Sequence, residues 1–403
     1  MKKLLIGSLA ALALITTGCS DHEEFSDAVF FTGSLSSSNI RFNVDGQDEM
    51  GVTVTSSAKA TNDIEVVLAP APELVEAYSQ KTGRPYVAPP AEAYSLENGT
   101  VTIKAGTAQS TAMKLIADAD KLQEGVGYCL PLTIKSVKNG PEALEAGKTV
   151  YVLFTKVITI KVASLGRRGG FDIQKFWLHL NPESPVQALP QMTLEMKVLP
   201  VSFPNSPRSA AGISSLCGCE ENFLFRFGDG AGQPCNRLQL AKASIGPAQN
   251  PDQKDHFESW LGDWDVGQWV HFAAVYDGSF MRVYIDGQQV FSYETKNGGT
   301  INLAQAYEGH NWDDGFSIGR SVGYARYFDG YVSECRVWNV ARTVDQIENG
   351  ICYVDPTSEG LIGYWRFNGE VQDDGTVRDE TGHGYDATPF GTVTYVDNQK
   401  CPY

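Results

Sequence analysis

Two stretches of the chain gather residue types able to hold a polyhydroxylated ligand. One reads His256-Phe257-Glu258-Ser259-Trp260-Leu261-Gly262-Asp263-Trp264-Asp265. The other reads Tyr307-Glu308-Gly309-His310-Asn311-Trp312-Asp313-Asp314 and is followed by Tyr324 and Tyr327. Aromatic rings pack against flat C–H faces, while carboxylates and amides take hydroxyl groups. Each stretch is glycine-marked and reads as a loop, and loops at the edge of a rigid scaffold can present such rings. Trp312, Tyr307, Asn311 and Asp313, helped by Trp264 and Tyr324, are therefore the candidate ligand-binding residues. The competing reading is that these rings cap the edges of a core, since buried Trp and Tyr commonly keep one polar end wet. Trp269, Trp338 and Trp365 fall in strand-like patterns and are expected inside.

Other chemistry is weakly supported. Cys217-Gly218-Cys219 would supply half a zinc site, but two further ligands at fitting spacing are missing. No histidine stands at recognisable spacing from a nucleophile and a carboxylate, and His271, two residues from Trp269 along a strand, reads as structural. Glu195 is alone on its strand, and Glu220 and Glu221 point to opposite faces if extended. No catalytic residue is assigned.

The N-terminus fixes the compartment. Lys2 and Lys3 precede an apolar run over residues 4–15, too short to span a bilayer and followed by Ile15-Thr16-Thr17-Gly18-Cys19. Small residues before a cysteine form a lipobox-like cleavage site, with Thr16 where Leu is usual. The expectation is a signal peptide over 1–18, lipidation of Cys19, and an acidic tether over 19–25 that resembles the export tag of surface lipoproteins. This places the protein at the outer membrane, lipid-anchored and facing the exterior, with the lipid as its only membrane attachment.

Composition bounds the rest. With 403 residues, 42% of them hydrophobic, the chain is long enough for two cores. A net charge of −16 argues against nucleic acid or an anionic membrane surface as partner. Forty glycines and recurring Asp-Gly and Asn-Gly pairs favour short strands joined by tight turns. Seven cysteines remain beyond Cys19, so at least one stays free in a disulfide-permissive compartment, and the connectivity is open. Cys335 alternates with Glu334 and Arg336 and should point inward.

Period-two strands are expected at 29–31, 40–44, 52–55, 64–68, 100–103, 113–116, 129–134 and 150–160, with one helix over 72–81. This predicts a β-sandwich over 26–163. The stretches Leu74-Val75-Glu76-Ala77-Tyr78, Val101-Thr102-Ile103-Lys104-Ala105-Gly106 and Gly127-Tyr128-Cys129-Leu130-Pro131-Leu132-Thr133-Ile134 resemble an N-terminal, immunoglobulin-like sandwich domain of unassigned function. That domain sits near the membrane end of lipoproteins encoded in glycan-utilisation clusters. A Gly/Arg-rich break over 164–170 reads as a linker.

Beyond it, Trp269-Val270-His271-Phe272-Ala273 and Val283-Tyr284-Ile285-Asp286-Gly287 form a β-meander with one buried face, turned at Asp277-Gly278. With Phe316-Ser317-Ile318-Gly319-Arg320, Arg336-Val337-Trp338-Asn339 and Gly363-Tyr364-Trp365-Arg366-Phe367, these motifs resemble a concanavalin-A/laminin-G-like jelly roll over 171–403. The resemblance implies an all-β protein and a carbohydrate ligand. Val332-Ser333-Glu334 replaces the family's Ile-Asp-Glu, and the missing Asp weakens carry-over of a structural calcium; no cofactor is assigned. Hydrolases on this jelly roll carry Glu-x-Asp-x-x-Glu on one strand, which is absent here. Three readings follow: glycan capture for neighbouring uptake proteins, a glycoside hydrolase with dispersed carboxylates, and an adhesion module for a protein partner. A cleft holding two carboxylates about 5–10 Å apart would favour the hydrolase.

Overall fold

A computed structural model describes residues 26–82, 84–166, 175–178, 185–220, 222–250, 252, 260–296, 298–303, 316–321 and 326–401. In the first half the strands are β1 (Val29–Phe31), β2 (Asn39–Val44), β3 (Gln47–Val52), β4 (Val54–Ser56), β5 (Ile64–Pro70), β6 (Tyr94–Leu96), β7 (Thr100–Ile103), β8 (Met113–Asp118), β9 (Tyr128–Lys138) and β10 (Thr149–Lys156). A sheet ordered β2-β10-β9-β5-β7 faces the three-stranded β3-β8-β6 and the pair β1-β4. Alternate residues such as Val66, Leu68, Leu130, Leu132, Val152 and Phe154 fill the core between them. The helix α1 (Val75–Thr82) lies on the other side of the five-stranded sheet, where Tyr78 stacks on Tyr151 with ring centroids 3.9 Å apart.

The second half contributes β11 (Ile158–Leu165), β12 (Lys175–Leu178), β13 (Met192–Pro200), β14 (Ser214–Cys219), β15 (Phe223–Phe227), β16 (Arg237–Lys242), β17 (Trp260–Asp263), β18 (Val270–Tyr276), β19 (Phe280–Ile285), β20 (Gln288–Glu294), β21 (Ser317–Ile318), β22 (Gly330–Trp338), the helix α2 (Val344–Asn349), β23 (Leu361–Arg366), β24 (Ala387–Phe390) and β25 (Thr394–Cys401). One sheet runs β20-β19-β18-β13-β22-β11-β25, with β23 also paired to β22. The other runs β17-β16-β15-β14-β21-β12-β24. Leu194, Met196, Phe225, Phe227, Phe272, Tyr276, Cys335 and Trp365 lie in the core between the sheets. Cys335, Trp269, Trp338 and Trp365 are all buried, as their strand positions imply.

The meander turns where expected. Asp277 accepts hydrogen bonds from the backbone N–H groups of Ser279 (2.8 Å) and Phe280 (2.7 Å). Asp286 and Gly287 both have positive φ, +48° and +80°, which a two-residue hairpin turn requires and this pair tolerates. The meander nonetheless has two buried faces rather than one, because every residue of β18 is buried. Ala273, Val275 and Tyr284 pack under Ile347 of α2, a helix that sequence periodicity does not announce. Its start is marked by a reciprocal cap: Thr343 Oγ1 accepts from Gln346 N–H, and Gln346 Oε1 accepts from Thr343 N–H.

The domain boundary expected at 164–170 moves upstream. The apolar run 150–160, read as one strand, is two. β10 pairs with β2 and β9, whereas β11 pairs with β22 and β25. Phe154 belongs to the first core, while Ala163 and Leu165 belong to the second. The crossing is made at Val157, directly after Thr155-Lys156, and Gly166 follows the end of β11 instead of joining two domains; residues 167–170 lie outside the described residues. A fragment beginning at 171 therefore lacks the strand that β22 and β25 pair with. It should aggregate or melt without cooperativity, whereas a fragment beginning at 157 should melt in a single transition by circular dichroism.

Candidate functional site

The outward face of the seven-stranded sheet is polar. Ser215 on β14 pairs in register with Arg226 on β15, and Arg226 with Gln239 on β16. Side chains two apart on a strand share a face, so these three form a row across three strands, continued at the backbone level by Trp260 of β17. Arg226 Nε donates to Gln239 Oε1 at 2.9 Å. Ser215 Oγ lies 2.7 Å from Ser321 Oγ, and Ser317 donates to the carbonyl of Arg320 at 2.6 Å. Glu220 accepts from Arg326 at 2.5 Å. Lys242 and Arg320 are buried on the same sheet, Arg320 over the ring of Phe390. Arg226 is buried, and its bond to Gln239 fixes the plane of its guanidinium.

Tyr307, Asn311, Trp312, Asp313 and Tyr324 lie outside the described residues. The segments that carry them leave and rejoin the chain at Leu303, Phe316, Ser321 and Arg326. Of these, Ser321 and Arg326 are bonded into the polar face through Ser215 and Glu220. Trp264 is described and half-buried. It packs partly on the core, which agrees with edge capping, and it also lines a groove of about 470 Å³ with Phe203, Pro204, Asn205, Asn236 and Asp265. Its backbone is held on both sides by Asn236, with Trp264 N–H to Asn236 O at 2.9 Å and Asn236 Nδ2 to Trp264 O at 3.0 Å. Indole Nε1 donates to Gln268 O at 3.2 Å. Just before it, Asp263 pairs with Arg237 through two contacts of 2.5 and 3.1 Å. Sequence reasoning singled out Trp264 but missed Ser215, Arg226 and Gln239, whose only signal was a polar residue recurring among buried apolar ones. Among the described residues no three His, Cys, Asp or Glu side chains come together to hold a metal.

The opposite sheet buries a second set of charges. Glu195 is not isolated: Arg336 NH1 donates to its Oε2 at 3.1 Å, Arg342 to its Oε1, and His271 Nε2 lies 3.3 Å away. Arg336 also bonds Glu334 and donates to Gly350 O at 2.6 Å, while Tyr364 donates to Glu334 at 2.8 Å. Burial would raise the Glu195 carboxyl, but Arg342, His271 and Arg336 more than reverse this and hold it below the usual carboxylate range. Glu195 and Glu334 are two carboxylates in one site, yet Arg336 bridges them, Arg342 caps Glu195, and both are buried where no glycosidic bond can reach them.

A lowered native pKa means stability that is complete above the ordinary carboxylate value of 4.5 and is lost as pH falls below it. Glu195→Gln should cost about 3–5 kcal/mol at pH 7, because it leaves buried cations uncompensated. The gap to the unaltered protein should narrow below pH 4.5 in urea titrations.

Comparison with known proteins agrees with this architecture. Residues 189–348 match the laminin G type model of the concanavalin A-like lectin/glucanases superfamily, and residues 24–141 match a family of N-terminal domains. A candidate carbohydrate-binding protein from Bacteroides ovatus ATCC 8483 superposes with a TM-score of 0.51 at 22% identity, over 92% of this chain and 98% of that one, which establishes a shared fold. Pappalysin-1 of Homo sapiens is 37% identical over 82 residues, 20% of this chain. The Mus musculus protein is 35% identical over 82 residues. The matched stretch spans 5% of the length of these relatives.

Proposed function

We propose that this chain, an N-terminal β-sandwich followed by a concanavalin A-like domain of the laminin G type, is a lipoprotein of the outer cell surface that captures oligosaccharide for neighbouring uptake proteins. The observation that carries the reading is the groove in which Trp264 lies with Asn205, Asn236 and Asp265, at the start of β16 on the sheet that carries the polar row Ser215, Arg226 and Gln239. It sets amide and carboxylate groups next to an aromatic ring, and sugars are recognised by that combination. Tyr307, Asn311, Trp312, Asp313 and Tyr324 lie outside the described residues and enter this reading from the sequence alone. The Bacteroides ovatus protein of the same fold, described as a candidate for carbohydrate binding, supports the ligand class. Binding is favoured over hydrolysis because Glu195 and Glu334, two buried carboxylates that share Arg336, are closed off by arginines.

The soluble part, residues 26–403, should retain a glycan on an array and bind it in calorimetric titration. A stacked ring contributes on the order of 1–2 kcal/mol, so Trp312→Ala and Trp264→Ala should each weaken affinity roughly tenfold. Trp312→Ala should leave the melting temperature nearly unchanged. A large drop in melting temperature with unchanged affinity would make the ring a core element, and release of reducing ends from the captured glycan would replace capture by hydrolysis.

The anchor rests on the apolar run ending at Gly18-Cys19. Cys19→Ala should move the protein from the membrane fraction to the soluble fraction, or leave it unprocessed at higher mass, on immunoblots of fractionated cells.

A further inference from the structure

The disulfide Cys352–Cys401 ties the turn after α2 to the last residue of β25. Its two sulfurs have different surroundings. Cys401 is fully buried, and its Sγ is touched by the ammonium of Lys197, itself buried and set 5.3 Å from the Trp269 ring centroid. Cys352 is half-buried and lines a cleft of about 480 Å³ between the domains, together with Arg41, Arg84, Lys156 and Tyr353.

Thiol–disulfide exchange has a direction set by such asymmetry. The attacking thiolate needs access to one sulfur, and the other departs faster the better its thiolate is stabilised. Here the accessible sulfur and the stabilised leaving group are the two ends of one bond. We propose that Cys352–Cys401 is an exchangeable disulfide and a site of S-thiolation for a low-molecular-weight thiol entering the interdomain cleft. The thiolate's electron pair forms a new S–S bond to Cys352 Sγ. The Cys352–Cys401 bond breaks with its electron pair on Cys401, which leaves as a thiolate facing the Lys197 ammonium. A second thiol, attacking the mixed disulfide, completes the reduction.

Burial lowers the Lys197 ammonium to about 8, and Glu334 opposes that shift, so the cation is present at neutral pH. The bond also sits where the domains are joined. Arg84 and Arg41 of the first domain bond Glu348 of α2 at 2.9 and 2.8 Å, and Lys400, next to Cys401, pairs with Asp45. Exchange would untie β25 from α2 at that junction.

The test uses the folded full chain incubated with glutathione at pH 7, quenched with N-ethylmaleimide and mapped by peptide mass spectrometry. The expected product carries glutathione on Cys352 and maleimide on Cys401, and forms without denaturant. Glutathione on Cys401, or modification only when the chain is unfolded, overturns the proposal. Lys197→Met should still form the disulfide and slow exchange about tenfold, and an unchanged rate overturns the role of Lys197. If that variant does not fold, the regiochemistry in the unaltered chain decides alone.

Discussion

Glu195 sits at the centre of the eight-stranded sheet, where a carboxylate without partners would be intolerable. Its compensation by Arg336 and Arg342 organises what surrounds it. Arg336 comes from the neighbouring strand β22, and Arg342 from the segment leading into α2. Arg342 also donates to Gln346 O and stacks over Trp338, and Arg336 donates to Gly350 O, so the ends of the helix are fixed to the charge they cover. Truncating any one member strands the others in a low-dielectric site, which is why such a network specifies an arrangement even when its net contribution to stability is small.

That placement of α2 has a second consequence. The helix is too short to be stable alone, yet it presents Asp345 and Glu348 to Arg84, with Glu348 also meeting Arg41. The first domain thus docks on a surface whose position is dictated by charges buried in the second. Gly125 lies against the ring of Tyr353, so close that a Cβ there would fall 2.6 Å from a ring carbon. The contact between domains is therefore specified by charge pairing and by backbone packing together.

Much of the fold could be read from residue patterns. Alternation located most strands of the first domain, and Asp277-Gly278 and Asp286-Gly287 located the meander's turns because the positive φ of Gly278, Asp286 and Gly287 has few alternative occupants. The domain crossing was hidden for a physical reason: β-branched and apolar residues resume at Val157 straight after Thr155-Lys156, so the polar pair reads as an outward-facing step of one strand and not as a break between two. The second buried face of β13 and β18 was hidden because charged and polar residues such as Glu195 and Lys197 look solvent-facing, and only the arrival from distant sequence of Arg336 and Arg342 beside Glu195, and of Glu334 opposite the Lys197 charge, offsets their burial. Pairing of Cys352 with Cys401 could not be deduced, since seven cysteines allow many connectivities. Trp264 was recognisable as an amphipathic ring in a glycine-marked loop. The row of Ser215, Arg226 and Gln239 was not, because it exists only once three strands are in register.

The two sheets solve the same problem in different ways. Each carries buried charge on the face turned away from the shared core. On the eight-stranded sheet, carboxylates and guanidiniums neutralise one another beneath a helix, and the donors and acceptors of Glu195, Glu334 and Arg336 are largely consumed internally. On the seven-stranded sheet, Arg226 is met by the amide of Gln239 and Glu220 by the guanidinium of Arg326. What differs is the cover: Ile347 of α2 packs over Ala273, Val275 and Tyr284 of the eight-stranded sheet, whereas Trp264, after β17 of the other sheet, lines an open groove. The covered face is committed to holding the domains together, and the groove is the place left able to recognise a ligand.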